Sequence, residues 1–166
     1  MKPRFTERFA LFGALTLIWM VVIFLLSAQT GEDSSGLSER LLTFLCGLFR
    51  YSPSAGARNL LGLIVRKTAH LTEFGVLALL WLGVFLSGYG RKGWTYPAAF
   101  GASSLYAATD ELHQLFVSER AGQATDWMID SAGALVFLFA GWLVIRLSHK
   151  TNSNRQTEKD DEKWQS

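Results

Sequence analysis

The chain has one cysteine, Cys46, among its 166 residues. A single thiol excludes an internal disulfide and any metal cage built from several cysteines, and it leaves the redox compartment undetermined. The HExxH signature of zinc-dependent hydrolases is also missing from the sequence. The sequence therefore contains no ready-made motif for a metal or a disulfide.

Charge is scarce as well, because only 18% of the residues are Asp, Glu, Lys or Arg while 49% are hydrophobic. Most of the charges lie near the two ends and in short segments, which is the distribution expected where lipid excludes charge from the remainder. The net charge of +2 is small, and the basic residues are not interleaved with aromatics, so no nucleic-acid partner is expected. The composition indicates a single membrane domain.

Long apolar runs predict an all-α integral membrane protein with four transmembrane helices. The first run has no charge across 20 residues, which rise about 30 Å and can cross a bilayer core. A signal peptide is the alternative, but the run is longer than usual and Leu26 with Ala28 is a poor cleavage pair, so we expect retention. The predicted spans are residues 9–28, 71–88, 96–117 and 127–147.

Between the first two spans, GEDSSG (residues 31–36) is typical of a polar turn. Leu37, Leu41, Phe44 and Leu48 follow at helical spacing and predict one short amphipathic helix in the first outer loop. The predicted organisation is a cytoplasmic N-terminus (1–8), a membrane domain (9–147) and a disordered cytoplasmic tail (148–166), the last because its composition is polar.

The distribution of basic residues predicts the orientation. Four spans place both termini and the turn at Arg91 and Lys92 on one side. Ten of the sixteen Lys and Arg residues fall on that side, at positions 2, 4, 8, 91, 92, 146, 150, 155, 159 and 163. By the positive-inside rule, we expect both termini of this multi-pass protein to be cytoplasmic.

The polar residues of the spans gather at their outer ends, and their spacing groups them by helix face. Lys67, His70 and Glu73 form one row. The other groups are the row of Tyr106, Asp110 and His113, with Gln114 four residues on from Asp110, and the pair Asp126 and Asp130, four residues apart. A charge at the centre of a membrane helix costs about 2.5–3.5 kcal/mol, so these groups should face each other or water. The candidate binding residues are Arg66, Lys67, His70, Glu73, Tyr106, Asp110, Glu111, His113, Gln114, Arg120, Asp126 and Asp130.

Two interpretations of these residues remain open. Salt bridges that tie the helices together would explain them, but the excess of acids and the two histidines favour a functional pocket. His70, His113 and Asp110 are the candidate ligands for a divalent metal, since imidazole nitrogens and carboxylate oxygens bind such ions. A metal-free site could use Glu111 and His113 as catalytic groups beside a phosphate held by basic residues, yet no nucleophile stands out and no reaction class is assigned.

The sequence resembles the VanZ-like family of bacterial membrane proteins. The resemblance rests on three motifs, in order, across roughly residues 20–140: SAQTGEDSSGLS, RKTAHLTEFGVLALL and YAATDELHQLFVSERAGQATDWMIDSAGA. One departure is Ser118-Glu119-Arg120, where many members resemble Pro-Gly-Arg. The family's charged and polar positions fall on Lys67, His70, Glu73, Asp110, Glu111, Gln114, Arg120, Asp126 and Asp130.

The resemblance implies a multi-span bundle in the bacterial plasma membrane. For the family's namesake it implies a role in resistance to teicoplanin, which acts outside the membrane. We expect a charged pocket, open to the outside, that binds a cell-envelope component, either a lipid-linked precursor or a lipid headgroup. The alternative is an outer-leaflet hydrolase or transferase acting on a lipid-linked phosphate. Neither the exact ligand nor the oligomeric state is indicated.

Overall fold

The computed structural model describes the backbone of residues 5–164 and the side chains of residues 6–147. The described residues form five α-helices and no strand, which confirms the all-helical class. In chain order the helices are α1 (Phe5–Ser27), α2 (Gly31–Leu48), α3 (Ala55–Tyr89), α4 (Thr95–Gln114) and α5 (Ala124–Trp164).

Three of these helices are long and apolar enough to cross a membrane: Thr6–Ser27, Ala55–Tyr89 and Ala124–Leu147. On α1, large apolar side chains such as Leu17 and Ile18 are exposed, as expected of a surface that faces lipid. With 20 residues, α4 is about 30 Å long, but its polar side chains lower its hydropathy. The fourth transmembrane span therefore stays a prediction.

The centre of the bundle is α3, which contacts each of the other four helices. It begins at Ala55, where the Ser54 hydroxyl accepts a hydrogen bond from the Ala57 N–H at 3.4 Å. Its 35 residues span about 52 Å, more than a bilayer core of about 30 Å. The segment RKTAHLTEFG, which hydropathy placed at the start of a span, lies in the middle of this helix.

The prediction of a turn at residues 31–36 is wrong, because these residues are the first turns of α2. Thr30 is the N-cap: its hydroxyl accepts from the Asp33 N–H at 3.2 Å and donates to the Asp33 carboxylate at 2.8 Å. Ser, Asp and Gly are common in turns and also at the starts of helices. Here the Thr30 cap stabilises the first turn of a helix, so these residues are helical. In α2, Leu42 is buried, whereas the predicted apolar row of Leu37, Leu41, Phe44 and Leu48 is exposed. The amphipathic helix in the first outer loop therefore stays a prediction.

Two apolar clusters hold the bundle together. Ala78, Leu82, Ala99, Ala134 and Leu138 lie where α3, α4 and α5 meet, and Ile23, Phe74, Leu77 and Ala107 lie where α1, α3 and α4 meet. The alanines let the backbones approach closely, which is how membrane helices gain van der Waals contact. The second cluster lies next to the polar residues of the same helices.

The helical backbone of α5 continues to Trp164, through the segment that composition predicts to be a disordered tail. The side chains of residues 148–166 lie outside the described part of the chain, as do residues 1–4 of the predicted cytoplasmic N-terminus. The cytoplasmic N-terminus (1–8) and the disordered cytoplasmic tail (148–166) therefore stay predictions.

Candidate functional site

The predicted site residues occupy one end of the bundle, which we call the polar end. It consists of the middle of α3 (residues 66–73), the last turns of α4 (106–114), the loop 115–123 and the start of α5 (124–130), beside the last turns of α1. Two side-chain hydrogen bonds fix α1 there. The Trp19 indole donates to the Glu73 carbonyl at 2.9 Å, and the Tyr106 hydroxyl donates to the Met20 carbonyl at 2.7 Å.

Lys67 and Asp126 form an ion pair that connects α3 to α5. Both side chains are partly exposed, at 38% and 25%. The pair is therefore positioned at the rim of the polar end, where its charges remain partly hydrated. This ion pair is consistent with the first interpretation of the charged residues, in which salt bridges tie the helices together.

The last turns of α4 contribute two buried carboxylates to the polar end, those of Asp110 and Glu111. The Gln114 amide donates to the Asp110 carboxylate at 2.9 Å, as their separation of four residues permits. Glu111 accepts a hydrogen bond from the Gln123 N–H at 2.7 Å and so anchors the loop that precedes α5. Both carboxylates are buried, with 4% and 7% of the residue exposed.

Arg120 enters the polar end from the loop between α4 and α5. Its Nη2 atom lies 3.4 Å from the Leu26 carbonyl, while the Nε and Nη1 atoms are buried and have no hydrogen-bond partner among the described residues. Burial lowers the pKa of the Arg120 guanidinium, and nearby Arg66 lowers it further, whereas the carboxylates of Asp110, Glu111 and Glu73 raise it. Arg120 thus faces both like and opposite charges while two of its nitrogens lack partners.

Arg120 lines a small cavity, which we call the arginine cavity, with a volume of about 70 Å³. A second guanidinium, that of Arg66, is in the same wall. His70 and Glu73 also line it, with the His70 Nδ1 atom 3.9 Å from the Glu73 Oε2 atom. The remaining lining residues are Leu26, Gln29, Ser34, Leu37, Ser38 and Ala69.

Next to the arginine cavity, a groove of about 630 Å³ runs between α2 and α3. The two spaces share Ser38 and Arg66 in their walls. Farther along the groove, Arg58 is paired with Glu39 and donates to the Thr43 hydroxyl at 2.6 Å. We call this space the α2–α3 groove.

Other predicted site residues lie away from the arginine cavity. The His113 ring packs against Phe24 of α1, with ring centroids 4.7 Å apart, and its buried Nε2 atom has no partner in the described region. Asp130 is fully buried in α5, and neither carboxylate oxygen is hydrogen-bonded to a described residue. The residues that do not line the cavity are Lys67, Tyr106, Asp110, Glu111, His113, Gln114, Asp126 and Asp130.

The candidate metal ligands are not assembled. Within the described side chains, no three His, Cys, Asp or Glu residues are grouped closely enough to hold a metal ion. His70 lines the arginine cavity, whereas His113 packs on α1 and Asp110 bonds to Gln114. The hypothesis of a metal on His70, His113 and Asp110 therefore gains no geometric support.

Sequence reasoning missed the contribution of α2 to the site. Ser34 and Ser38 of α2 line the arginine cavity together with Gln29, which precedes the helix. The sequence pattern predicted a turn at Ser34 and indicated no role for the other two. The available signal was the Thr30-x-x-Asp33 pattern, which resembles a capping box and marks a helix start. Continuing helical spacing from there places Ser34 and Ser38 on one face.

Apolar helices around a buried charged cluster define a helical protein of the membrane type. The chain belongs to the VanZ/LLP1 family, whose model matches residues 12–147. This match confirms the resemblance based on the three motifs. No curated protein and no solved structure matches the chain.

Proposed function

We propose that the arginine cavity binds the phosphate of a cell-envelope component, either a lipid-linked precursor or a lipid headgroup. The observation that carries the proposal is the guanidinium of Arg120, whose buried Nε and Nη1 atoms lack partners in the described structure beside a cavity. A guanidinium presents a planar fork of donors that matches phosphate oxygens. Arg66 in the same wall supplies a second positive charge.

The remaining lining of the site suits a molecule with a small charged part and a larger body. Ser34 and Ser38 offer hydroxyl donors at the cavity wall. The cavity, at about 70 Å³, is about twice the volume that one water occupies in the liquid, about 30 Å³, so it suits a single small polar group. The α2–α3 groove, at about 630 Å³, falls within the range of ligand pockets, about 300–1,000 Å³. We infer that the phosphate occupies the cavity while the attached group lies along the groove.

In this proposal the polar end faces the outside of the plasma membrane. The support is the charge count, since the opposite end carries the Arg91 and Lys92 turn and collects most of the basic residues. The ligand would then be reached from the outer leaflet, where envelope precursors are used.

The test compares two probes that differ only in the phosphate: a polyprenyl phosphate and the corresponding polyprenol. Purified full-length protein in detergent should bind the phosphate form, and Arg120→Gln should weaken that binding about 10–100-fold, because a hydrogen bond to a charged group contributes about 1.5–3 kcal/mol. Arg66→Gln should weaken it in the same direction. The matched control is Arg40→Gln, which removes one exposed charge from α2 outside the cavity and the groove.

Equal binding of the two probes, or equal binding by wild type and both cavity variants, would contradict the proposal. The circular dichroism spectrum and the size-exclusion profile of each variant distinguish a lost site from a lost fold. Since the namesake of the family is linked to teicoplanin resistance, the same variants in a bacterial host provide a cellular readout. We expect Arg120→Gln, and not Arg40→Gln, to change teicoplanin susceptibility.

An outer-leaflet hydrolase or transferase is the second candidate function, and one contact favours it. The His70 imidazole and the Glu73 carboxylate lie 3.9 Å apart in the lining of the cavity that contains the arginines, and both groups are of the types that act as general acids and bases. The earlier candidates Glu111 and His113 do not line this cavity.

The enzymatic proposal predicts that purified protein releases inorganic phosphate from a polyprenyl diphosphate. His70→Gln should reduce that release at least 100-fold, the scale of general acid–base catalysis, while the Kd for a polyprenyl phosphate changes little. The absence of phosphate release above a protein-free control, with and without divalent metal, would contradict the enzymatic proposal.

A further inference from the structure

A second pair of adjoining pockets lies at the opposite end of the bundle, about 35 Å from Arg66 along α3. One is a polar pocket of about 400 Å³, lined by Arg91, Lys92, Gly93, Tyr96, Trp142, Ile145 and Arg146. The other is an apolar groove of about 640 Å³ between α4 and α5, lined by Tyr96, Pro97, Phe100, Leu135, Leu138, Phe139 and Trp142. Tyr96 and Trp142 belong to both, so the pocket and the groove form one continuous surface.

Among the residues that the structure describes, three basic side chains and no acidic one line the polar pocket. Arg91 and Lys92 come from the turn between α3 and α4, and Arg146 comes from α5. The Arg146 guanidinium lies over the Trp142 ring, 5.1 Å from the ring centroid, which orients it beside the pocket. Positive charge from two different parts of the chain therefore converges on this pocket.

The apolar groove continues from the basic pocket toward the middle of the bundle. Its walls are aromatic and aliphatic, and Phe139 stacks on Trp142 with ring centroids 5.7 Å apart. Leu135 and Phe139 are 54% and 64% exposed, so this groove is open to whatever surrounds the helices. In a helix that qualifies as a membrane span, the surroundings are lipid tails.

We propose that these two spaces together form a binding site for one anionic phospholipid, distinct from the arginine cavity. The negatively charged headgroup is held by Lys92 and Arg146, and one acyl chain lies in the groove along Phe100 and Phe139. Aromatic side chains at the junction, Tyr96 and Trp142, match the boundary between headgroup and tail, where such rings are enriched.

The combination of charge and apolar length selects this class of ligand. A free phosphate would satisfy the basic pocket but would not fill the groove, and a neutral lipid would fill the groove without neutralising the pocket. Basic pockets between membrane helices on the cytoplasmic side are recognised sites for anionic headgroups. The charge count predicts that this end faces the cytoplasm.

Native mass spectrometry of the full-length protein, released from detergent with added lipid, tests the proposal. The probes are phosphatidylglycerol, which is anionic, and phosphatidylcholine, which has no net charge, with identical acyl chains, so that the two lipids differ in the headgroup alone. We expect one retained phosphatidylglycerol per chain and little phosphatidylcholine. The double variant Lys92→Gln/Arg146→Gln should lower the affinity for phosphatidylglycerol about 25-fold, from about five-fold per basic residue.

Two controls make the result specific. Arg8→Gln removes an exposed charge from the same end of the bundle outside the pocket, and it should change the affinity less than about two-fold. Leu135→Trp should fill the groove and reduce phosphatidylglycerol retention without altering any charge, whereas millimolar glycerol phosphate should not displace the lipid. Equal retention of both lipids, or the same loss in Arg8→Gln as in the double variant, would overturn the proposal.

Discussion

Replacing Gly133 by alanine is expected to lower the unfolding temperature of the detergent-solubilised protein by about 6–12 °C. Gly133 is buried where α5 crosses α3. A Cβ atom at this position would collide with the carbonyl oxygen of Leu71 and lie 2.9 Å from the Leu71 Cα. The obstructing atoms are backbone, so no side-chain rotation can relieve the overlap, and the two helices must separate.

The expected magnitude comes from overpacking, which typically costs up to about 3 kcal/mol, and each kcal/mol corresponds to about 2–4 °C in a chain of this size. Close approach through a glycine is also how membrane helices gain contact area. Separating α3 from α5 would also pull apart the Lys67–Asp126 ion pair, which connects these two helices at the polar end.

Gly13→Ala is the matched control, because a Cβ at Gly13 would meet nothing within 4 Å. Alanine is the better helix former by about 1 kcal/mol, so this variant should melt at the same temperature as wild type or higher. Thermal unfolding followed by circular dichroism at 222 nm measures both variants. An unfolding temperature of Gly133→Ala equal to that of Gly13→Ala would show that α3 and α5 are not in backbone contact at this point.

Much of the helical framework could be predicted from the sequence, because hydropathy and spacing act locally. The apolar runs mark α1, the later part of α3 and the earlier part of α5. The separation of Asp110 and Gln114 by four residues predicted that they share a face, and their side chains are hydrogen-bonded at 2.9 Å. These are properties of single helices, which a sequence contains directly.

Helix boundaries were predicted less well where hydropathy and backbone hydrogen bonding diverge. The second apolar run starts at residue 71, but α3 begins at Ala55 because Ser54 caps it there. Likewise, α2 begins at Gly31 because Thr30 caps it. Hydropathy identifies the part of a helix that can lie in lipid, whereas the capping residue determines where the helix starts.

The composition of the site could be predicted only in part, since spacing does not say which neighbour a face meets. Tyr106 and His113 were placed in one row with Asp110, but both turn toward α1 and contact Met20 and Phe24. Conversely, the arginine cavity depends on α2, which hydropathy treats as a peripheral segment. Only the tertiary contact between α2 and the loop before α5 creates it.

That contact is tested by Gly31→Ala, which we expect to release the start of α2 from the loop that carries Arg120. The Gly31 N–H donates to the Ser118 carbonyl at 3.2 Å, and the Glu32 N–H donates to the Glu119 carboxylate at 3.2 Å. A Cβ at residue 31 would collide with the Glu119 carbonyl oxygen and lie 2.9 Å from the Glu119 Cβ. The obstructing atoms include the Glu119 backbone, and Glu119 has a positive φ of 60°, which is uncommon for a residue other than glycine.

The expected result is faster amide hydrogen exchange along α2, by about 30-fold if the overlap costs about 2 kcal/mol. Gly47→Ala, in the same helix with nothing within 4 Å of the new Cβ, should leave the exchange unchanged or slow it. Because Ser34 and Ser38 of α2 and Arg120 of the loop share one cavity, Gly31→Ala should also weaken binding of a polyprenyl phosphate. Faster exchange with undiminished binding would mean that the phosphate is held by α3 and the loop alone; unchanged exchange would mean that α2 does not dock through Gly31.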